Sequence, residues 1–274
     1  MRVAGRLGAV ELAGKSVLLT GATGGLGRAI AGALAGRGAK LVLSSRKQAE
    51  LDQLAGSLAG DGHRTIVSDL AEEGAALELL DQAGELDVFV ANAGLPAAGR
   101  LDDFTQEQIS RALRVNLESP VRIARELLPR MSARDSGHLV FISSLSGRSA
   151  TARTSLYAAT KFGLRGFAFC LRDDVRGTGV GVSVVSPGTI RAAGMFAESG
   201  ASAPALIGTG TPEQVAAAVL RAIEHDRAEV SVAPLRQRTL SRVAMNAPEL
   251  SGKLAGKLAA KVADEVAAGQ ADKR

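Results

Sequence analysis

The chain has 274 residues, 46% of them apolar, and a formal net charge of +5 from 33 basic and 28 acidic side chains. This length suits one large domain, and the apolar content argues against extended disorder. The single cysteine, Cys170, excludes an internal disulfide, and the three histidines lack metal-ligand spacing, so we expect no bound metal. No segment reaches the ~20 apolar residues that span a bilayer and no signal peptide is evident, so we expect a cytoplasmic protein.

Short apolar runs alternate with helical patterns along the chain. The predicted strands are residues 16–20, 40–44, 64–67, 87–91, 139–143, 180–185 and 229–233. The predicted helices are residues 28–36, 48–58, 72–83, 106–130 (bent at Pro120 or divided in two), 155–177 and 212–225. This alternation predicts βαβ units, and strands without polar alternation indicate helices on both faces of a parallel sheet. We therefore predict an α/β protein with a doubly wound, seven-stranded parallel sheet.

Residues 189–210 interrupt this alternation. They are rich in Ala, Gly and Ser and carry only two charges, Arg191 and Glu198. A solvated connector is one interpretation. We favour a lid, because the segment follows the carboxyl end of a strand, where open α/β sheets bind ligands.

A glycine-rich loop joins the first strand to the first helix and reads Thr20-Gly21-Ala22-Thr23-Gly24-Gly25-Leu26-Gly27. Glycines let a backbone approach a pyrophosphate, and the helix N-terminus offers free N–H groups to the phosphate charge. A purely structural turn is the alternative. The position between a strand and a helix favours dinucleotide binding.

The Gly-x-x-x-Gly-x-Gly spacing of this loop resembles the short-chain dehydrogenase/reductase family, and the resemblance covers residues 12–234. Its other motifs occur in order at element ends: Asp69-Leu70, Asn92-Ala93-Gly94, Asn116, Ser143-Ser144, Tyr157-Ala158-Ala159-Thr160-Lys161 and Pro187-Gly188. The resemblance implies a Rossmann fold and a nicotinamide dinucleotide cofactor. It implies cofactor contacts at Gly21, Thr23, Gly24, Gly25, Leu26, Gly27, Arg46, Asp69, Leu70, Asn92, Ala93, Gly94, Tyr157, Lys161, Pro187, Gly188 and the backbone of Ile190.

The end of the second strand bears on the choice of cofactor. It reads Ser44-Ser45-Arg46 and lacks the acidic residue that binds the ribose hydroxyl of NAD. The planar guanidinium of arginine suits a phosphate, and a basic residue at the position of Arg46 accompanies NADP in the family. A second basic marker of the family is missing from the glycine loop, where Thr23-Gly24 stands. We predict NADP, with NAD as the alternative.

Four residues form the predicted catalytic set: Asn116, Ser144, Tyr157 and Lys161. Tyr157 and Lys161 are four residues apart and share one helix face, so the ammonium is expected to lower the pKa of the phenol. The resemblance implies that Ser144 holds the substrate oxygen and that Asn116 anchors a water chain. Tyr157, the chain's only tyrosine, then exchanges a proton during hydride transfer between nicotinamide and a carbonyl or secondary alcohol.

The predicted substrate pocket combines Leu95-Pro96, residues 145–156 and lid residues 192–210. The lid is apolar and small, with the bulky members Met195, Phe196, Leu206 and Ile207. Arg148 and Arg153 are expected to face solvent. We predict NADPH-dependent reduction of a lipophilic ketone or aldehyde by a homo-oligomer, a dimer or tetramer. The alternative is a dinucleotide-binding regulatory or scaffold protein without turnover, which the complete catalytic set disfavours. A sugar-nucleotide epimerase fits the glycine spacing poorly.

The last forty residues carry most of the net charge. Residues 235–274 contain eight basic and four acidic side chains, and we separate them as a basic tail from a dinucleotide-binding catalytic domain at 1–234. Apolar residues at every fourth position predict an amphipathic helix over 248–268. Peripheral contact with an anionic membrane is one interpretation, but packing on the domain or on a partner subunit is favoured because the helix has little apolar bulk. Without aromatic platforms or a reading module, we expect no nucleic-acid partner.

Overall fold

The computed structural model describes residues 11–191, 208–247, 249 and 264–269. Its centre is a parallel sheet with the strand order β3-β2-β1-β4-β5-β6-β7. The strands are β1 (Ser16–Thr20), β2 (Lys40–Ser45), β3 (Arg64–Val67), β4 (Val88–Ala91), β5 (Gly137–Ile142), β6 (Val180–Pro187) and β7 (Glu229–Val232). The predicted fold class is confirmed. The strand order reverses direction between β1 and β4, and this switch point opens a crevice at the carboxyl ends of the strands.

Helices cover both faces of the sheet. They are α1 (Gly25–Ala35), α2 (Gln48–Ser57), α3 (Ala75–Ala83), α4 (Gln106–Leu113), α5 (Ser119–Ala133), α6 (Ser155–Asp174), α7 (Pro212–Glu224) and α8 (Leu235–Asn246). Val17 and Leu19 of β1 pack in one core with α1, α2 and α7, whereas Leu18 packs in a second core with α3, α5 and α6. Successive strand side chains point to opposite faces, so both sets must be apolar.

The connection between β4 and β5 differs from the single long helix that was one of the two predicted forms. A π-helical turn at Arg114–Glu118 separates α4 from α5. Pro120 stands in the first turn of α5, where proline is tolerated. Such π turns insert one residue into a helix and often occur at functional sites. This turn carries Asn116.

The two ends of the predicted lid meet in a short stem. Ile190 and Gly210 form a parallel bridge, Gly210 N donates to Thr189 O at 2.8 Å, and Arg191 N donates to Gly210 O at 3.0 Å. Residues 192–207 lie outside the described residues. The described ends of the segment are therefore fixed to each other.

Most of the predicted amphipathic helix over 248–268 also lies outside the described residues. Its last part, residues 264–268, is helical, and Asp264 accepts a hydrogen bond from Arg153 Nε at 2.7 Å. Among the described residues, none of the helices has the length and apolar character needed to cross a membrane.

Candidate functional site

The predicted site residues come from several elements that end at the same edge of the sheet. The glycine loop follows β1, Asn92 follows β4, Ser144 follows β5, and Pro187 is the last residue of β6. Tyr157 and Lys161 lie in the first turns of α6. Because all strands run parallel, these segments surround the crevice at the switch point.

Close backbone packing requires two of the loop glycines. Gly21 has a φ of +63°, and a Cβ atom there would lie 2.8 Å from the Cα of Ala93. A Cβ atom at Gly27 would collide with the carbonyl oxygen of Gly21. The fold itself therefore requires glycine at these two positions, whether or not a ligand is bound.

The start of α1 fits a bound phosphate. The helix has no side-chain cap and no acidic residue in its first turn, so its first N–H groups are available to an anion. A Cβ atom at Gly24 would meet no protein atom closer than 3.5 Å, so the fold itself does not need a glycine there. Close approach of a ligand explains a glycine at this exposed position.

Asn92 joins the end of β4 to the glycine loop. Its Nδ2 donates to the carbonyl oxygens of Thr20 and Gly21, at 3.1 and 3.0 Å. The backbone N–H groups of Asn92 and Ala93 both donate to Thr20 Oγ1 at 3.2 Å. Thr20 and Asn92 therefore hold the loop in shape, and the sequence offered no signal for this role of Thr20.

Arg46 projects from the end of β2 and is exposed. Within the part of the chain that the structure describes, it forms no hydrogen bond or ion pair, whereas Lys47 Nζ pairs with Glu50 at 2.7 Å. After the neighbouring strand β3, Asp69 Oδ1 accepts from Ala71 N at 3.0 Å, and Leu70 is buried. Arg46 is thus a cation without an internal partner beside the crevice.

Tyr157, Ser144 and Lys161 form a compact group below the crevice. Lys161 Nζ lies 5.7 Å from the centroid of the Tyr157 ring and donates to Ile142 O at 2.9 Å. Burial raises the pKa of Tyr157 to about 12, although a hydrogen bond with Ser144 acts to lower it. Burial lowers the pKa of Lys161 to about 8. The pKa of Tyr157 is thus raised and not lowered as expected, because desolvation outweighs the hydrogen bond with Ser144.

The two neighbouring serines have different surroundings. Ser143 is buried and its Oγ donates to Lys161 O at 3.1 Å. A Cβ atom at Gly147 would lie 2.6 Å from that Oγ, so the turn packs tightly on Ser143. Ser144 Oγ accepts from Ser146 N at 3.1 Å and is the serine that contacts Tyr157.

Asn116 is only 1% exposed, and its side-chain amide forms hydrogen bonds with the backbone of Leu95. Its Oδ1 accepts from Leu95 N at 2.7 Å, and its Nδ2 donates to Leu95 O at 3.0 Å. Nδ2 also lies 3.4 Å from the Oγ1 of Thr160, the residue before Lys161. Asn116 therefore ties the segment after β4 to α6, and its place in a water chain stays a prediction.

The segment after β6 depends on a residue that the sequence analysis missed. Pro187 and Ile190 are buried, and Thr189 N donates to Gln237 Oε1 at 3.2 Å. A Cβ atom at Gly188 would collide with the same Gln237 oxygen. Gln237 lies in α8 and belongs to no motif, so no sequence signal pointed to it.

The expectation that Arg148 faces solvent is wrong, whereas Arg153 is partly exposed. Arg148 is 7% exposed and pairs with Glu229 at the start of β7, which also pairs with Arg165 at 3.0 Å. Burial acts to raise the pKa of Glu229, but hydrogen bonds from Arg165, Arg148 and Ser186 hold it below its ordinary value. Arg153 is partly exposed and pairs with Asp264. Buried cations need such partners.

The class of protein follows from this arrangement. An open parallel sheet with an anion-binding glycine loop at its switch point, and an acid–base side chain beside that loop, is typical of dinucleotide-dependent oxidoreductases. Residues 15–203 match the family model described as short chain dehydrogenase, and the chain belongs to this family.

Individual relatives agree with this assignment. Ketoacyl reductase HetN of Nostoc sp. is 39% identical over 227 residues, which cover 81% of this chain and 79% of the relative. A short-chain dehydrogenase from Sphingobium yanoikuyae, solved in complex with NADPH, superposes with a TM-score of 0.72 at 25% identity, covering 79% of this chain and 87% of that one. A metagenomic short-chain oxidoreductase solved with NADP gives a TM-score of 0.68 at 31% identity, covering 82% and 99%.

Proposed function

We propose that this protein uses NADPH to reduce a lipophilic ketone or aldehyde to the alcohol. The observation that carries the proposal is the contact between Tyr157 and Ser144 beside Lys161, at the crevice where the family binds its cofactor. Family membership supports an oxidoreductase acting on CH–OH or C=O groups. The finer assignments rest on the residues discussed next.

Each side chain of the proposed site has a distinct task. Ser144 holds the carbonyl oxygen of the substrate, and NADPH, when bound, would supply the hydride to the carbonyl carbon. With a pKa of about 12, Tyr157 carries its proton at neutral pH and donates it to that oxygen. The Lys161 ammonium stabilises the phenolate that remains, because opposite charges favour the ionised form.

Arg46 supports NADP over NAD. It has no partner within the described chain and stands where a 2′-phosphate is bound by an arginine fork. The end of β2 itself carries Ser44 and Ser45 before Arg46 and has no carboxylate. Two structural neighbours were solved with NADPH or NADP.

The surroundings of Tyr157 support an apolar substrate. Tyr157 and Ile109 pack against a buried cluster of Ala97, Phe104, Ala112 and Leu156. Burying apolar substrate surface against such a wall is favourable. The relative named as a ketoacyl reductase supports the reductive direction and a ketone on an acyl chain.

Turnover of a carbonyl panel tests the proposal. The panel holds aliphatic, aromatic and steroid ketones, aldehydes and a 3-ketoacyl thioester, each assayed with NADPH and NADH. We expect NADPH-dependent reduction of at least one, and a loss of about 10²–10⁴ in kcat in Tyr157→Phe with NADPH binding retained. NADPH binding without any turnover would favour the regulatory alternative, and undiminished turnover by Tyr157→Phe would contradict the assigned acid.

A further inference from the structure

Gln237 connects α8 to both described ends of the segment that follows β6. The side chain is 7% exposed. Its Oε1 accepts from Thr189 N at 3.2 Å, and its Nε2 donates to Gly208 O at 2.7 Å. The Gln237 amide thus links Thr189, just after the end of β6, to Gly208, near the other end of the segment.

The orientation of this amide is fixed by its partners. The N–H group of Thr189 requires an acceptor, and the carbonyl of Gly208 requires a donor, so only one placement of the oxygen and nitrogen satisfies both. Gly188 leaves the space that the Gln237 oxygen occupies, since any Cβ atom there would collide with it. Gly208 has a φ of +72°, a conformation that favours glycine. Gly188 and Gly208 therefore both favour the hydrogen bonds of the Gln237 amide.

The amide also reinforces the stem of the segment. Ile190 pairs with Gly210 directly beside the Thr189–Gln237 hydrogen bond. Without Gln237, the N–H of Thr189 would lose its partner, which is costly for a group in a partly buried position. The backbone of Thr189 and Ile190 is thereby held at one position above the end of β6.

We propose that Gln237 is a positioning residue for the nicotinamide end of the cofactor. This inference rests on the proposed function and on the contact that the family resemblance implies between the backbone of Ile190 and the carboxamide of the nicotinamide. Gln237 acts through its hydrogen bonds to Thr189 and Gly208, and within the described residues it does not contact the glycine loop. Residues of α8 therefore influence cofactor affinity although they lie beyond the last strand.

Two substitutions separate the two hydrogen bonds. Gln237→Leu removes both with little change in volume. Gln237→Glu keeps an acceptor for Thr189 but places an oxygen against the Gly208 carbonyl. Two measurements apply to each variant: hydrogen exchange at the Thr189 amide, and the Kd of NADPH from fluorescence titration. Ser241→Ala is the control, because Ser241 is buried on the same helix and, within the described residues, its Oγ bonds only to Arg238 O.

In Gln237→Leu we expect faster Thr189 exchange and a Kd raised about fivefold to tenfold, the equivalent of one lost buried hydrogen bond. In Gln237→Glu we expect Thr189 exchange to stay slow while Kd rises about threefold, and this variant decides the matter if the leucine variant does not fold. The Ser241→Ala control should match the unmodified chain in both Thr189 exchange and the Kd of NADPH. Unchanged Kd in folded variants overturns the inference, whereas failure of the unmodified chain to bind NADPH overturns the proposed function.

Discussion

Asn116 and Leu95 exchange two hydrogen bonds, so a side-chain amide pairs with the backbone as a neighbouring strand would. The pair closes the segment after β4 against the π-helical turn between α4 and α5. A π-helical hydrogen bond joins residues five apart, whereas an α-helical one joins residues four apart. A regular α-helix would therefore place the Asn116 amide differently. The geometry of the turn and the position of Asn116 therefore belong together.

Replacing Asn116 by alanine should destabilise the fold as well as the site. It leaves the N–H and C=O of Leu95 without partners in a buried place, at roughly 1–3 kcal/mol for each group. We expect the free energy of unfolding in urea to fall by about 2–6 kcal/mol. Asn246→Ala, at the exposed end of α8, is the control and should cost less than about 0.5 kcal/mol. Equal losses in the two variants would contradict the structural role of Asn116.

The pH dependence of reduction should follow Lys161. Its pKa of about 8 means that the ammonium is present below that pH and lost above it. Without the positive charge, the phenolate left on Tyr157 is less stable, so kcat/KM for reduction should fall by about tenfold per pH unit above pH 8. The measurement is a rate profile from pH 6 to 10, with NADPH affinity determined at each pH to separate binding from chemistry. A flat profile up to pH 10 would exclude this role.

Arg46→Gln should weaken the use of NADPH selectively. Charge-assisted hydrogen bonds to a phosphate contribute about 1.5–3 kcal/mol, so kcat/KM for NADPH should fall at least about tenfold. The value for NADH should change by less than about twofold, because its ribose carries no phosphate. Lys47→Gln is the matched control, since Lys47 is the adjacent cation and is already paired with Glu50. Parallel losses with both cofactors would argue against a 2′-phosphate site.

Acid should destabilise the protein through His138, away from the crevice. The side chain is fully buried between β5 and β6, its Nε2 is 2.8 Å from Ser183 Oγ, and burial lowers its pKa from 6.5 to about 4. Asp226 acts to raise this pKa and Arg172 to lower it, but burial dominates. The stabilising effect of the neutral ring is therefore complete above pH 6.5 and is lost as the pH falls towards 4.

A double comparison measures this effect. Between pH 7 and pH 4 the unfolded chain gains a proton that the folded chain excludes, at about 1.4 kcal/mol per unit of pKa difference, or ~3 kcal/mol in all. Urea unfolding of the unmodified chain should show this additional loss of stability relative to His138→Gln. If both chains lose the same free energy on acidification, His138 is not the group responsible.

The strands and most helices could be predicted from the sequence, because local residue patterns determine them. Residues 64–67 are predicted as a strand and form one, since the β-branched run Thr65-Ile66-Val67 is a local signal. The π-helical turn could not be predicted, because one inserted residue leaves the helical pattern almost unchanged. Arg148 was misjudged because Gly147 and Ser149 suggest an exposed loop, while its partner Glu229 comes from the far end of the sheet.

The same distinction applies within the candidate site. The glycine loop and the helix with Tyr157 and Lys161 follow from motifs with fixed spacing. The pKa values of those two residues follow from burial, which depends on the whole fold. Gln237 is visible only in three dimensions, because its partners Thr189 and Gly208 are distant in sequence.

The stem formed by Ile190 and Gly210 has a consequence for the exchange of substrate specificity between relatives. Because the two ends are joined by their own hydrogen bonds, the chain between them forms a closed insertion whose length costs little entropy. A segment grafted from a relative between Arg191 and Gly208 would meet the same anchoring points. If this segment lines the substrate pocket, as we predict, its replacement alone would change substrate preference and leave the glycine loop and the sheet as they are.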